Sequence, residues 1–138
     1  MSDGGLKLVA EIVERKLRSM NLSNKKAQKI MILNGYELSL DGKNYQNKDM
    51  SVVGPIDCKQ GISITWGVGR EGIFGRLCEY DKNGNNLDYW NPMSNPRTIT
   101  LSKSATTNIK ASFSTKDLNY AYIYDNTNNV YLWKGDFV

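Results

Sequence analysis

From Ile30 onward the chain is cut into short apolar runs by clusters of Gly, Asn, Asp or Pro that recur roughly every 8–12 residues. No other feature restricts the fold as much. Successive side chains of a strand point to opposite faces, so a period of two across short runs fits a sheet with one buried face, and interruptions this frequent leave no room for long helices. Residues 61–68 place Ile62, Ile64 and Trp66 on one face, 97–101 do so with Ile99 and Leu101, and 108–113 with Ile109, Ala111 and Phe113. Tyr120, Tyr122 and Tyr124 alternate against Ala121 and Ile123, residues 51–56 read as a short strand stopped by Pro55, and residues 130–134 close the chain. The rhythm predicts about nine or ten strands in a mainly β, antiparallel sandwich.

The strongest hairpin signal lies in residues 72–96. Ile73, Leu77 and Tyr80 precede Lys82-Asn83-Gly84-Asn85, and Leu87, Tyr89 and Trp90 follow it. Asn-Gly tolerates positive φ, which predicts a tight type I′ reversal between two strands. Asn34-Gly35 predicts a second hairpin, with Asp41-Gly42 as another turn just after it. Pro92 and Pro96 cannot donate to an inner ladder, so residues 91–96 are expected to leave the sheet as a loop with Tyr89 and Trp90 at its mouth.

Residues 6–20 follow a different period. Leu6, Val9, Val13, Leu17 and Met20, with Leu8, Ala10 and Ile12, fill one wide arc at helical spacing, while Lys7, Glu11, Glu14, Arg15 and Arg18 fill the other side. An N-terminal amphipathic helix is predicted, with residues 1–28 as helix and linker and 29–138 as the sandwich. Its apolar face has two uses, packing on the sheet or lying in a lipid interface.

The charge is unevenly distributed. Residues 1–30 carry seven Lys or Arg and three Asp or Glu, whereas the remainder carries eleven of each, so the whole formal charge of +4 comes from the leader. A nucleic-acid binder spreads positive charge across a face or groove, and no nucleic-acid partner is expected. The chain has no His, which removes the usual general base and the commonest transition-metal ligand. Cys58 and Cys78 alone cannot build a structural zinc site, and read either as buried thiols or as one bridge. No metal or cofactor is expected. The glycines at 67, 69, 72 and 75 do not have the spacing of a phosphate loop. Glu79, Asp81 and Asp88 read as scattered surface carboxylates, so the chain is not expected to be an enzyme. No apolar run approaches the roughly 20 residues of a membrane span. Charges from Glu11 to Arg18 interrupt any secretory-signal core, so a soluble protein without a conventional signal is expected, cytoplasmic or released to act at membranes.

The aromatic residues are the most informative about binding. Rings with a polar tip suit a sugar-stacking platform or a pocket for a quaternary ammonium, and alternate aromatics also fill cores. The run GVGREGIFGRLCEYDKNGNNLDYWNPMSNPRTITL, after the apolar stretch at 30–40, resembles the middle of small cytolysins with an actinoporin-like or aegerolysin-like sandwich. The resemblance covers about residues 30–113. It implies a non-enzymatic protein that binds membrane lipid and forms pores as a homo-oligomer. Tyr89, Trp90 and Pro92 would be the lipid-facing loop, Tyr120 and Tyr124 the head-group partners with Tyr122 beside them, and Leu6, Val9, Val13, Leu17 and Met20 the inserting face. Fruit-body lectins share that sandwich, which leaves a glycan-binding module as the alternative, with the same six residues on sugar and the helix structural.

Overall fold

The computed structural model describes residues 30–138. The expected helix at 6–20, the insertion residues Leu6, Val9, Val13, Leu17 and Met20, and the boundary at 28 lie outside the described residues. The described part is mainly β, as expected. Nine strands form two antiparallel sheets: β1 (Ile32–Leu38), β2 (Asn44–Asp57), β3 (Ser63–Val68), β4 (Phe74–Tyr80), β5 (Asn86–Trp90), β6 (Arg97–Thr100), β7 (Asn108–Ser114), β8 (Ala121–Asp125) and β9 (Val130–Lys134). The order is β1-β2-β7-β4-β5 in the first sheet and β6-β3-β8-β9 in the second.

The alternation read from the sequence supplies the core between the sheets. Ile64, Trp66 and Val68 from β3, Ile109, Ala111 and Phe113 from β7, and Ala121 and Ile123 from β8 are all buried there. Trp66 meets Phe74 edge-on at 6.0 Å, Phe74 stacks on Phe113 at 6.5 Å, and Phe113 tilts against Trp133 at 5.6 Å. Each such large side chain contributes about 1.5–3 kcal/mol by leaving water. The indole N–H of Trp66 donates to the Gly75 carbonyl at 3.0 Å, so the centre of the core leaves no orphaned donor.

Three local expectations are corrected. Asn34-Gly35 does not reverse the chain. It lies inside β1, where the register with β2 shifts between Asn34 and Tyr36 and Gly35 takes φ +85°. The reversal belongs to residues 39–43, where Gly42 takes φ +71° and Ser39 N–H donates to the Lys43 carbonyl. Positive φ serves a bulge as well as a turn, and the dipeptide alone does not choose between them. Likewise Pro55 does not end its strand. β2 runs to Asp57 through a register shift between Val53 and Ile56, where no ladder hydrogen bond is asked of the Pro nitrogen. The hairpin at 74–90 forms as expected, but its loop is longer than a type I′ turn. The Asp81 carboxylate accepts from the backbone N–H of Asn83 and Asn85, and only Gly84 takes positive φ.

β2 is long enough to bend, and the tip of the β1–β2 hairpin folds over the outer face of the first sheet. Leu38, Val52, Cys78 and Tyr80 form a second, smaller core beneath it. Leu38 N–H donates to Ser112 Oγ at 2.9 Å, and the Tyr80 hydroxyl donates to the Gly42 carbonyl. One face of the first sheet is thereby covered, whereas among the described residues no such cover lies over the outer face of the second, where Thr98, Thr100 and Tyr131 are exposed.

Candidate ligand face

The open face is set by the residues out of phase with the core. On β3 they are Ser63, Thr65 and Gly67, on β6 Thr98 and Thr100, and on β8 Tyr122 and Tyr124, all paired across the ladder. Tyr131 of β9 stands opposite Tyr124. Its ring lies 4.9 Å from Tyr124 and 6.1 Å from Tyr122, close to perpendicular to both. Edge-to-face contact lets the three rings brace one another while all remain partly open to solvent, Tyr131 at 45%. Burial against this cluster raises the Tyr122 hydroxyl above its ordinary value, and Tyr131 adds to the effect.

Polar groups lie on the neighbouring strands. Thr65 Oγ1 and Thr98 Oγ1 share a hydrogen bond of 2.7 Å, and the Asn126 side-chain amide donates to Thr65 Oγ1 at 2.8 Å and to Ser63 Oγ at 3.2 Å. Lys134 places its ammonium 5.8 Å from the Tyr131 ring centre. The surface therefore presents aromatic rings beside fixed hydroxyl and amide groups, a combination that meets a ligand with both apolar C–H patches and hydroxyls.

The proline loop forms one wall of this face. Asn95 Oδ1 accepts from Val68 N–H at 3.0 Å, and its amide donates to the Arg70 carbonyl at 3.1 Å. Pro96 lies directly on Gly67, where a Cβ would come within 2.6 Å of Asn95 Oδ1 and 2.9 Å of Pro96. Tyr122 is the cross-strand partner of Gly67, so glycine at this position puts the loop beside the tyrosines.

The six residues singled out from sequence divide among several surroundings. Tyr122 and Tyr124 form the open face. Tyr120 instead ends a 3₁₀ turn (Thr115–Tyr120), sandwiched between the Arg70 guanidinium at 4.0 Å and Phe137 at 5.2 Å. Trp90 packs on the main core and donates through Nε1 to Glu79 Oε2 at 2.8 Å, with Arg97 over its ring at 5.7 Å. Tyr89 is exposed and pairs with Cys78, whose side belongs to the outer face of the first sheet. Pro92 is half-buried at the start of the loop. Thr65, Thr98, Asn126 and Tyr131 complete the face and were not among the six. The signal for Thr65 was present, because it stands out of phase with Ile64 and Trp66 in residues 61–68.

The carboxylates have local partners. Glu79 is fully buried and accepts from Trp90 Nε1, Thr106 Oγ1 at 2.7 Å and Lys103 N–H at 3.5 Å, so it is not the surface group its sequence position suggested. Asp117, also buried, accepts two hydrogen bonds from Arg70 and one from Ile73 N–H. Burial pushes its carboxyl up, but the Ile73 and Arg70 bonds outweigh that and hold it below the usual range. Cys58 and Cys78 are free thiols, raised by burial to about 12 and about 11. Among the described residues no cluster of three or more Cys, Asp or Glu could hold a metal ion, and no helix is long and apolar enough to cross a membrane.

No family model, curated protein or solved structure matches this chain.

Proposed function

We propose that this chain is a carbohydrate-binding module that takes a sugar on the outer face of β6-β3-β8-β9. The supporting observation is the braced trio Tyr122, Tyr124 and Tyr131 beside the Thr65–Thr98–Asn126 hydrogen-bond group. Sugar rings offer C–H faces to aromatic π systems and hydroxyls to amide and hydroxyl partners, and this face has both within neighbouring strands. Rings already held by one another lose little conformational freedom on binding, which favours affinity.

The reading of a pore-forming lipid binder draws on Tyr89, Trp90 and Pro92 acting jointly with the late tyrosines, and these residues occupy different surroundings. Of the six residues that the lipid and glycan readings share, Tyr122 and Tyr124 lie on this face. The deciding experiment is a glycan array followed by titration of wild type, Tyr124→Ala and Tyr131→Ala. Each substitution is expected to weaken binding about tenfold, equivalent to about 1.4 kcal/mol, with little change in melting temperature. Parallel runs use phosphatidylcholine vesicles, with and without sphingomyelin, loaded with a self-quenched dye. Vesicle binding that needs Tyr131, without any glycan bound, would transfer the face to lipid head groups, and leakage would restore the pore reading.

A further inference from the structure

The corner where the β1–β2 hairpin turns over the first sheet holds a cleft of about 740 Å³, and none of its lining residues belongs to the tyrosine face. The ladder makes this corner. Asn34 pairs with Ser51 and Tyr36 with Gln46, so four residues of β2, 47–50, stand opposite Gly35 alone and arch out of the sheet. Asn47 fixes the arch and the carboxylate below it together. Its Oδ1 accepts from Asp49 N–H at 3.1 Å, and its Nδ2 donates to Glu37 Oε2 at 2.9 Å. Glu37 is half-buried, whereas the charged groups at the rim, Lys48, Asp49 and Lys116, are exposed. A Cβ on Gly75 would lie 3.4 Å from both Glu37 Oε1 and Met50 Cε, so glycine there lets a carboxylate oxygen and an apolar floor come down together. Arg76 is directed elsewhere, to Asn91 Oδ1 at 2.9 Å and the Leu38 carbonyl at 3.2 Å. Tyr45 lies against the same carboxylate, which holds its hydroxyl above the ordinary value.

Ile73 supplies an apolar wall. It is 60% exposed, yet its backbone is pinned on both sides, the N–H donating to Asp117 Oδ2 at 3.1 Å and the carbonyl accepting from Ser114 N–H at 3.0 Å. An isoleucine held this firmly in the open, beside Met50 and Phe74, is a preformed contact for an apolar group. We propose that this cleft binds a primary amine with an apolar body, the ammonium on Glu37 and the body against Met50 and Ile73. A half-buried charge is screened less than exposed ones, so Glu37 decides the sign of the ligand ahead of the rim lysines. An ammonium then donates a charge-assisted hydrogen bond to the carboxylate, the stronger kind. The cleft volume is in the range of small-molecule sites.

Two fluorescent probes test the assignment by titration of the full chain at neutral pH. Dansyl cadaverine ends in a primary amine, and dansyl aminohexanoate ends in a carboxylate at similar reach. Saturable binding of the amine is expected, at least about tenfold tighter than that of the acid, and Glu37→Gln should weaken it at least about tenfold. Ile73→Ser should weaken it about threefold, with the melting temperature unchanged because the side chain already faces water. Tyr131→Ala should bind the amine as wild type does, which separates this cleft from the tyrosine face. No saturable binding, equal affinity for amine and acid, full amine binding by Glu37→Gln, or loss of it in Tyr131→Ala overturns the proposal. Should Glu37→Gln fail to fold, amine binding by Ile73→Ser as tight as in wild type overturns it. Tighter binding of the acid, lost in Lys48→Ala/Lys116→Ala, overturns it in favour of an anion.

Discussion

Gly67→Ala is the sharpest test of how the proline loop is held beside the tyrosine face. Gly67 is not at positive φ, so alanine brings no backbone strain and its effect comes from the added methyl alone. That methyl would lie 2.6 Å from Asn95 Oδ1 and 2.9 Å from Pro96. Two responses compete. Keeping the loop in place with an overpacked contact costs about 1–3 kcal/mol. Lifting the loop instead gives up the two Asn95 hydrogen bonds to Val68 and Arg70, at about 1 kcal/mol each. The molecule takes the cheaper route, so the loss is expected near 2 kcal/mol, a fall of about 6–10 °C in melting temperature for a domain of this size. Urea unfolding of Gly67→Ala, Asn95→Ala and the double variant measures it. Once Asn95 is truncated the closest clash and both bonds are gone, so the double variant should lose clearly less than the sum of the singles. Strict additivity, or a Gly67→Ala protein within about 0.5 kcal/mol of wild type, would refute the loop's placement on Gly67.

The Asp117 carboxyl is held below its ordinary value, so the stability it contributes is present above the unfolded value near 3.9 and is lost as pH falls through the lower folded value. Asp117→Asn should cost about 1.5–3 kcal/mol at pH 7, towards the lower end because Arg70 is partly solvated, and the gap to wild type should narrow in a melting series as pH falls below the unfolded carboxylate value of about 3.9. The thiols of Cys58 and Cys78, raised by burial to about 12 and about 11, should alkylate with iodoacetamide at pH 8 far more slowly than free cysteine, and at an unhindered rate only after unfolding in urea. Rapid labelling of either in the native protein would contradict the burial that raises them.

Much of the architecture could be read from the alternation because burial of one sheet face is imposed residue by residue. Ile109, Ala111 and Phe113 entered the core as a period of two requires, and Tyr122 and Tyr124 faced outward for the same reason. Local chemistry was less decisive where one signal serves two structures. Asn34-Gly35 supplied a bulge instead of a reversal, and Pro55 sat at an irregular ladder position that tolerates it. Trp90 looked like a loop aromatic, yet its indole completes the hydrogen bonding of buried Glu79, a residue eleven positions away.

The sequence by itself determined that residues 30–138 fold mainly as β, which side of most strands is apolar, and that Tyr122 and Tyr124 share a face. These follow from neighbours along the chain, where strand pleat and turn chemistry act. Only the tertiary structure decided that the β1–β2 hairpin covers one sheet and leaves the other open, that Thr65, Thr98 and Asn126 stand beside the tyrosines, and that Tyr89, Trp90 and Tyr120 do not join them. Those outcomes depend on which strands pair and how the two sheets stack, contacts between residues far apart in sequence that no local pattern encodes.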